Sequence, residues 1–172
     1  MRIGARTYIH PTAVIFENVD IGTDCYIGPF CILGGPPEHA DLDPFAPNKG
    51  IKIGNGCRFY GHNTIDAGWK EQTIIKDNCI LMKGAHIGHD ATIYQHTTIS
   101  CGAKVGGHSK ISAFCNIGLN AVLHQFTDLP PGTMVGASAF VKGEHHEWWR
   151  ILVGVPAKDI GENTRGKAKW HQ

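Results

Sequence analysis

The sequence predicts an all-β protein, a parallel β-helix built from hexapeptide repeats, and three observations carry that prediction. Branched aliphatic residues recur at every sixth position, first as Ile3, Ile9, Ile15, Ile21, Ile27 and Leu33. The same spacing returns at Ile75 and runs through Leu81, Ile87, Ile93, Ile99, Val105, Ile111, Ile117, Leu123, Leu129 and Val135 to Val141 without exception. Four residues after each aliphatic stands a small side chain, among them Ala13, Cys25, Cys31, Cys79, Ala85, Ala91, Thr97, Cys115 and Ala139. Finally, the chain carries 22 glycines and few helix-favouring stretches, which suits many short strands joined by turns.

A period of six matches neither the 3.6 of a helix nor a simple alternation of two. It describes three pairs of inward and outward residues, one inward site large and one small, with a turn at the corner. Three hexapeptides close a triangular coil, and successive coils pair through their backbones.

The elements follow in order from that register. Residues 3–33 form the first coils, and "GGPPEHADLDPFAPNKGIK" then interrupts them with Pro and Asp, which cannot continue strands. This stretch is a loop extruded from a corner over about 34–52, long enough to carry binding groups. The phase Ile53, Phe59 and Ile65 resumes the coil, "DAGWKEQTI" displaces it, and the unbroken block 75–141 follows. The pattern stops at "KGEHHEWWR", so residues 1–143 are assigned to the β-helix and 144–172 to a C-terminal cap and tail, where Trp148 and Trp149 pack on the coil.

With 172 residues the chain suits one domain. Its net charge of +1 provides no broad basic footprint for phosphates, so a nucleic-acid partner is not expected. The N-terminus has no apolar segment followed by a cleavage site, and no apolar run approaches the roughly 20 residues of a membrane helix, so a cytoplasmic protein without an integral membrane segment is expected. Five of the six cysteines, at 25, 31, 57, 79 and 115, fall on the small inward site, where a thiol packs as a compact apolar group; Cys101 falls elsewhere.

Candidate chemistry lies in "GAHIGHDATI", residues 84–93. In a coil of eighteen residues His89, His108 and His124, separated by 19 and 16, come within about one residue of vertical alignment near one corner. Asp90 stacks on His108, Gly107 on His89, and Gln125 on Gly107. A single corner histidine is ordinarily a polar surface residue, but three with an aspartate form a polar column. A carboxylate beside an imidazole holds its Nδ1–H and leaves Nε2 to accept a proton. His89 is then a base, Asp90 its orienter, and the N–H of Gly107, which no Cβ screens, an oxyanion donor. His108 and His124 are placed to bind substrate hydroxyl or phosphate groups. The competing reading is metal ligation, as in the gamma-class carbonic anhydrases that share a left-handed β-helix. Their two histidines five apart have no counterpart here, and alternation along the coil aims His86 and His89 toward different faces. No metal site is assigned.

The runs "ILMKGAHIGHDATI", "GGHSKI", "AVLHQF", "IHPTAVI", "IGPFCILG" and "GVPAKDIGENTRG" together resemble the UDP-N-acetylglucosamine O-acyltransferases of lipid A biosynthesis, in order along nearly the whole chain. The resemblance implies a left-handed parallel β-helix and a homotrimer with sites at subunit boundaries. It also implies acyl transfer from acyl carrier protein to a sugar hydroxyl. By match, His89 is the general base, Asp90 its partner and Gly107 the oxyanion donor. His86, His108 and His124 match the other cleft histidines, Gln125 a neighbouring polar residue, and Asn163 a nucleotide-side contact. No cofactor is implied beyond the thioester co-substrate, acyl carrier protein or acyl-CoA.

The sequence departs from that family in "GGPPEHADLD", which lacks a lysine at the matching place, and in "TIDAG", where Asp66 replaces a histidine. It also ends near where the family continues into a helical C-terminal domain, as a short form would. The shortened end also fits smaller sugar acyltransferases that use acetyl-CoA, which share an HxxHD-like base and a "GVPAK"-like terminus, so N-acetylation of a nucleotide-linked amino sugar is the alternative enzyme, and a non-catalytic sugar-binding β-helix the alternative outside enzymes.

Overall fold

The computed structural model describes residues 1–170. Strands of two to four residues stack into three parallel sheets up to Val141, wound as a left-handed β-helix of about eight turns. The register is eighteen wherever the repeat is unbroken: Ile75 pairs with Ile93, Leu81 with Ile99 and Ile87 with Val105.

Both interruptions leave the ladder intact. Ile21 pairs with Ile53 and Leu33 with Ile65, each thirty-two residues apart instead of eighteen, so the extruded loop adds chain without shifting a side chain to the wrong face. Ile53 pairs with Ile75 and Ile65 with Ile87, each twenty-two apart, which makes the second break a four-residue bulge. A shift by one would have turned the inward set outward, so insertions are accommodated at corners.

The large inward sites form a column of aliphatics from Ile21 to Val141, with Phe59 in the middle, nearly all without solvent contact. Cys25, Cys31, Cys57, Cys79 and Cys115 are buried at the small site, and Cys101 is half-buried. Polar groups at that site are satisfied by corner carbonyls: the thiol of Cys79 donates to Tyr94 O at 3.1 Å and the hydroxyl of Thr97 to Ser112 O at 3.0 Å. Burial pushes the Cys115 thiol up to about 12, which suits packing and not reactivity.

The corners are left-handed even at residues with side chains. Asp90, His108 and Phe126, eighteen apart, have φ of 60°, 59° and 62°. Such a conformation costs roughly 1–2 kcal/mol for an L-residue. The ladder holds it: His108 N donates to His89 O and Phe126 N to Gly107 O, both at 2.9 Å.

Beyond Val141 the segment expected as cap and tail extends the second sheet. Arg150–Gly154 pairs in parallel with Met134–Val135, and Ala157–Glu162 returns antiparallel to it. Leu152 is buried and continues the inward column after Val135 at a spacing of seventeen, which is why the sixfold pattern did not reveal it. The ring of Trp149 lies over Gly132, where a Cβ would meet it at 2.2 Å, whereas Trp148 is exposed. A helix, Thr164–Trp170, follows. The last two residues of the segment lie outside the described ones. Among the described residues no helix is long and apolar enough to cross a membrane.

Candidate active site

Three columns of the same corner build the site. Gly88, Gly106 and His124 stack in one, His89, Gly107 and Gln125 in the next, and Asp90, His108 and Phe126 in the third. The glycines set the depth of the groove. A Cβ on Gly88 would meet Gly107 N at 2.7 Å, and one on Gly106 would meet Gln125 N at 2.5 Å. The open groove that results is lined by His86, His89, Gly107, His124 and Gln125, together with Glu38, Asp66 and Lys104.

His89 is buried, with Nδ1 2.6 Å from Asp90 Oδ2. The carboxylate accepts Nδ1–H, which leaves Nε2 as an acceptor. Nε2 faces Gly107, where a Cβ would lie 3.0 Å from it. Among the described residues the Gly107 N–H enters none of the backbone hydrogen bonds that tie the coils, and so it is available to a ligand beside the base.

Asp90 has no solvent-exposed side-chain surface. Its carboxylate accepts the N–H groups of Trp69 at 3.1 Å, Lys70 at 2.7 Å and Glu71 at 2.5 Å, all from the second break. Burial by itself would raise its pKa. The N–H of Glu71, the ring of His89, the N–H of Trp69 and the charge of His108 outweigh that and hold it below the usual value. A carboxylate so fixed orients the imidazole and stabilises the imidazolium formed when His89 takes a proton.

His108 stands edge-on to His89, ring centroids 5.0 Å apart, and stacks on Phe126 at 4.7 Å with planes 1° apart. Burial lowers its pKa despite the attraction of Asp90. His124, exposed, approaches Gln125 O through Nδ1 at 3.2 Å. His89, Asp90 and His108 do offer ligating atoms within 4.8 Å of one another. With the Asp90 oxygens already accepting four N–H groups, however, the donor set is that of an oriented imidazole and not of a free metal chelate.

Two placements differ from the sequence reading. His86 does not face away from His89; both line one groove, because His86 points outward from the strand His86–Ile87 and His89 stands at the corner that strand enters. Asn163 is separate from the others. It lies near His96, Asn116 and Arg165 on the second sheet, donates Nδ2–H to Gly132 O at 2.9 Å and accepts the N–H of Gly166 at 3.0 Å. Within one chain it therefore caps the terminal helix and docks it on the coil. Sequence reasoning missed the three N–H donors around Asp90, since backbone groups leave no residue signature. It also missed the acidic pair Glu38 and Asp66, which the loop and an adjacent coil bring together.

No protein-family profile matches the chain. The carnitine operon protein CaiE of Proteus sp. is 29% identical over 164 residues, covering 95% of this chain and 68% of that protein, and the Escherichia coli CaiE is 27% identical over the same coverage. Among solved structures, the UDP-N-acetylglucosamine acyltransferase of Campylobacter jejuni superposes with a TM-score of 0.86 at 20% identity, covering 98% of this chain and 73% of that one. The Moraxella catarrhalis UDP-N-acetylglucosamine O-acyltransferase (LpxA) gives 0.75 at 22% identity, over 94% and 77%. AntD, an N-acyltransferase from Bacillus cereus in complex with dTDP and coenzyme A, gives 0.59 at 18%, over 99% and 88%. At these identities the solved structures establish the fold.

Proposed function

We propose that this protein is an acyltransferase that moves an acyl group from a thioester, of acyl carrier protein or coenzyme A, to a hydroxyl or amine of a nucleotide sugar, with His89 as general base. The observation that carries the reading is the arrangement at one corner: Nδ1 of His89 tied to a buried, donor-saturated Asp90, and Nε2 open to a groove beside the unengaged N–H of Gly107. Nε2 takes the acceptor's proton as its oxygen or nitrogen attacks the thioester carbon. The N–H of Gly107 donates to the oxyanion that forms. Collapse expels the thiolate, which receives the proton from the His89 imidazolium and leaves as the thiol. His86, His124 and Gln125 line the groove as substrate contacts, and His108 backs the base.

Two likenesses support the coarser reading: one neighbouring structure is named as an O-acyltransferase of UDP-N-acetylglucosamine, and another as an N-acyltransferase bound to dTDP and coenzyme A. By the motif resemblance the acceptor is a hydroxyl, in lipid A biosynthesis in the cytoplasm. A homotrimer would close the groove with a second subunit. N-acetylation of an amino sugar is the second reading, favoured by the acidic pair in the groove.

The test is turnover of His89→Ala with nucleotide sugars and either acyl carrier protein thioesters or acyl-CoAs, products read by mass. Acyl transfer is expected to fall by a factor on the order of 10² or more, with unchanged circular dichroism. Unaltered turnover ends the proposal, and a product gaining only an acetyl group from acetyl-CoA removes the long-chain donor.

A further inference from the structure

Asp66 is a buried groove residue whose chemistry the transfer mechanism leaves unused. It is only 7% exposed, yet among the described residues no hydrogen bond reaches its carboxylate. His86 Nε2 lies 3.8 Å away, too far for a hydrogen bond and wide enough for a donor atom to bridge the two. The other side of His86 is occupied, with Nδ1 2.8 Å from Thr64 Oγ1. Gly35, paired with Asp66 across the ladder, has open space where a Cβ would stand.

The charges around Asp66 do not neutralise it. Glu38, from the extruded loop, lines the same groove and carries the same sign. Lys104 also lines it, but its Nζ donates to Gly84 O at 3.2 Å and Gly102 O at 2.7 Å. Burial lowers the pKa of His86, with the attraction of Glu38 too weak to reverse it, so that ring supplies no cation to Asp66. His89 and His124 face the groove from the next corner, one committed to Asp90 and the other beside Gln125. Burial first, then Glu38, raises Asp66 to about 7. A buried carboxylate without a donor, beside a second carboxylate, is relieved by a cation that brings N–H groups with it.

We propose that Asp66, with Glu38 and His86, is the subsite that recognises a primary amine on the acceptor sugar. Two carboxylates and an imidazole lining one groove suit a primary ammonium, which has three N–H bonds to give, and not a quaternary one, which has none. The amine binds as the ammonium and releases one proton to solvent. The second goes to His89 as the C–N bond forms and the C–S bond breaks. This assignment rests on the acyl-transfer reading for its chemistry, but amine binding does not require turnover.

The experiment is titration calorimetry on the full chain with UDP-glucose and with nucleotide-linked amino sugars bearing the amine at C2, C3 or C4. At pH 8 at least one amino sugar is expected to bind on the order of tenfold or more tightly than UDP-glucose, the scale of a charge-assisted hydrogen bond gained. Its affinity is expected to fall several-fold at pH 6, where Asp66 holds its proton. Asp66→Asn should abolish both the preference and the pH step, while His89→Ala should leave both in place as turnover is lost. No preference for any amine, or a preference and pH step that survive Asp66→Asn, overturns the subsite whatever His89→Ala does. Turnover that survives His89→Ala, with the amine preference still lost in Asp66→Asn, overturns the base and leaves the subsite standing.

Discussion

At the scale of single residues, the site depends on one glycine and one carboxylate. Gly107 leaves room for the His89 ring, since a Cβ there would stand 3.0 Å from Nε2 and 3.1 Å from both Cε1 and the carbonyl oxygen of His89. Gly107→Ala is therefore expected to displace the base and cut acyl transfer on the order of 10², while the melting temperature moves little; steady-state kinetics beside a thermal melt checks it. Asp66 gives a stability prediction of the opposite kind. A carboxyl raised to about 7 in the folded chain is ionised in the unfolded chain from about pH 4 upward, so its burial is harmless below pH 4, costs stability progressively between about pH 4 and 7, and reaches its full penalty above 7. Asp66→Asn is expected to stabilise the protein by a few kcal/mol at pH 8, at about 1.4 kcal/mol per pKa unit, and to change nothing at pH 4. Denaturant titrations at the two pH values test it, and equal effects at both would show that ionisation is not the cause.

At the scale of elements, the four-residue bulge does more than interrupt the coil. Its N–H groups at Trp69, Lys70 and Glu71 close over Asp90, and Thr73 Oγ1 accepts the N–H of Asp90 at 2.9 Å. The element that breaks the repeat thus fixes the orienter of the base. Asp90→Ala leaves these donors without their acceptor, a loss of about 3 kcal/mol when buried groups go unsatisfied, as well as turnover. Because the depressed Asp90 stabilises only above the unfolded carboxylate pKa, the difference from wild type should shrink as pH falls below about 4. Thermal melts across that range provide the check. The extruded loop acts at the same scale: it brings Glu38 to the groove, and His39 to the ring of Trp69 at 4.9 Å.

At the scale of the whole molecule, stability is a stack of nearly equivalent coils whose inward column must stay in phase. A residue inserted inside a strand, between Thr98 and Ile99, would turn the following side chains outward, and loss of the cooperative melt is expected. The same insertion beside exposed Ala40 should cost less than about 0.5 kcal/mol, since lengthening a surface loop adds little closure entropy. Far-UV circular dichroism and melts of both variants decide it.

The inward set was legible from sequence because burial on a sixfold coil imposes one residue class at one spacing, and Ile75 to Val141 obey it without a gap. The alignment of His89, Asp90, Gly107 and His108 was legible for the same reason, since eighteen residues return to the same corner. Only the tertiary structure decided that His86 joins His89 in one groove, that Asn163 lies apart from it, and that Asp90 is held by backbone N–H groups. Only it decided, too, that Asp66 stands buried and unpaired beside Glu38. Apart from the placement of His86, which turns on strand and corner geometry, each of these depends on where an aperiodic segment lands. Periodicity fixes the phase of residues within the coil, whereas the path of a loop or bulge is set by hydrogen bonds and packing that no spacing records.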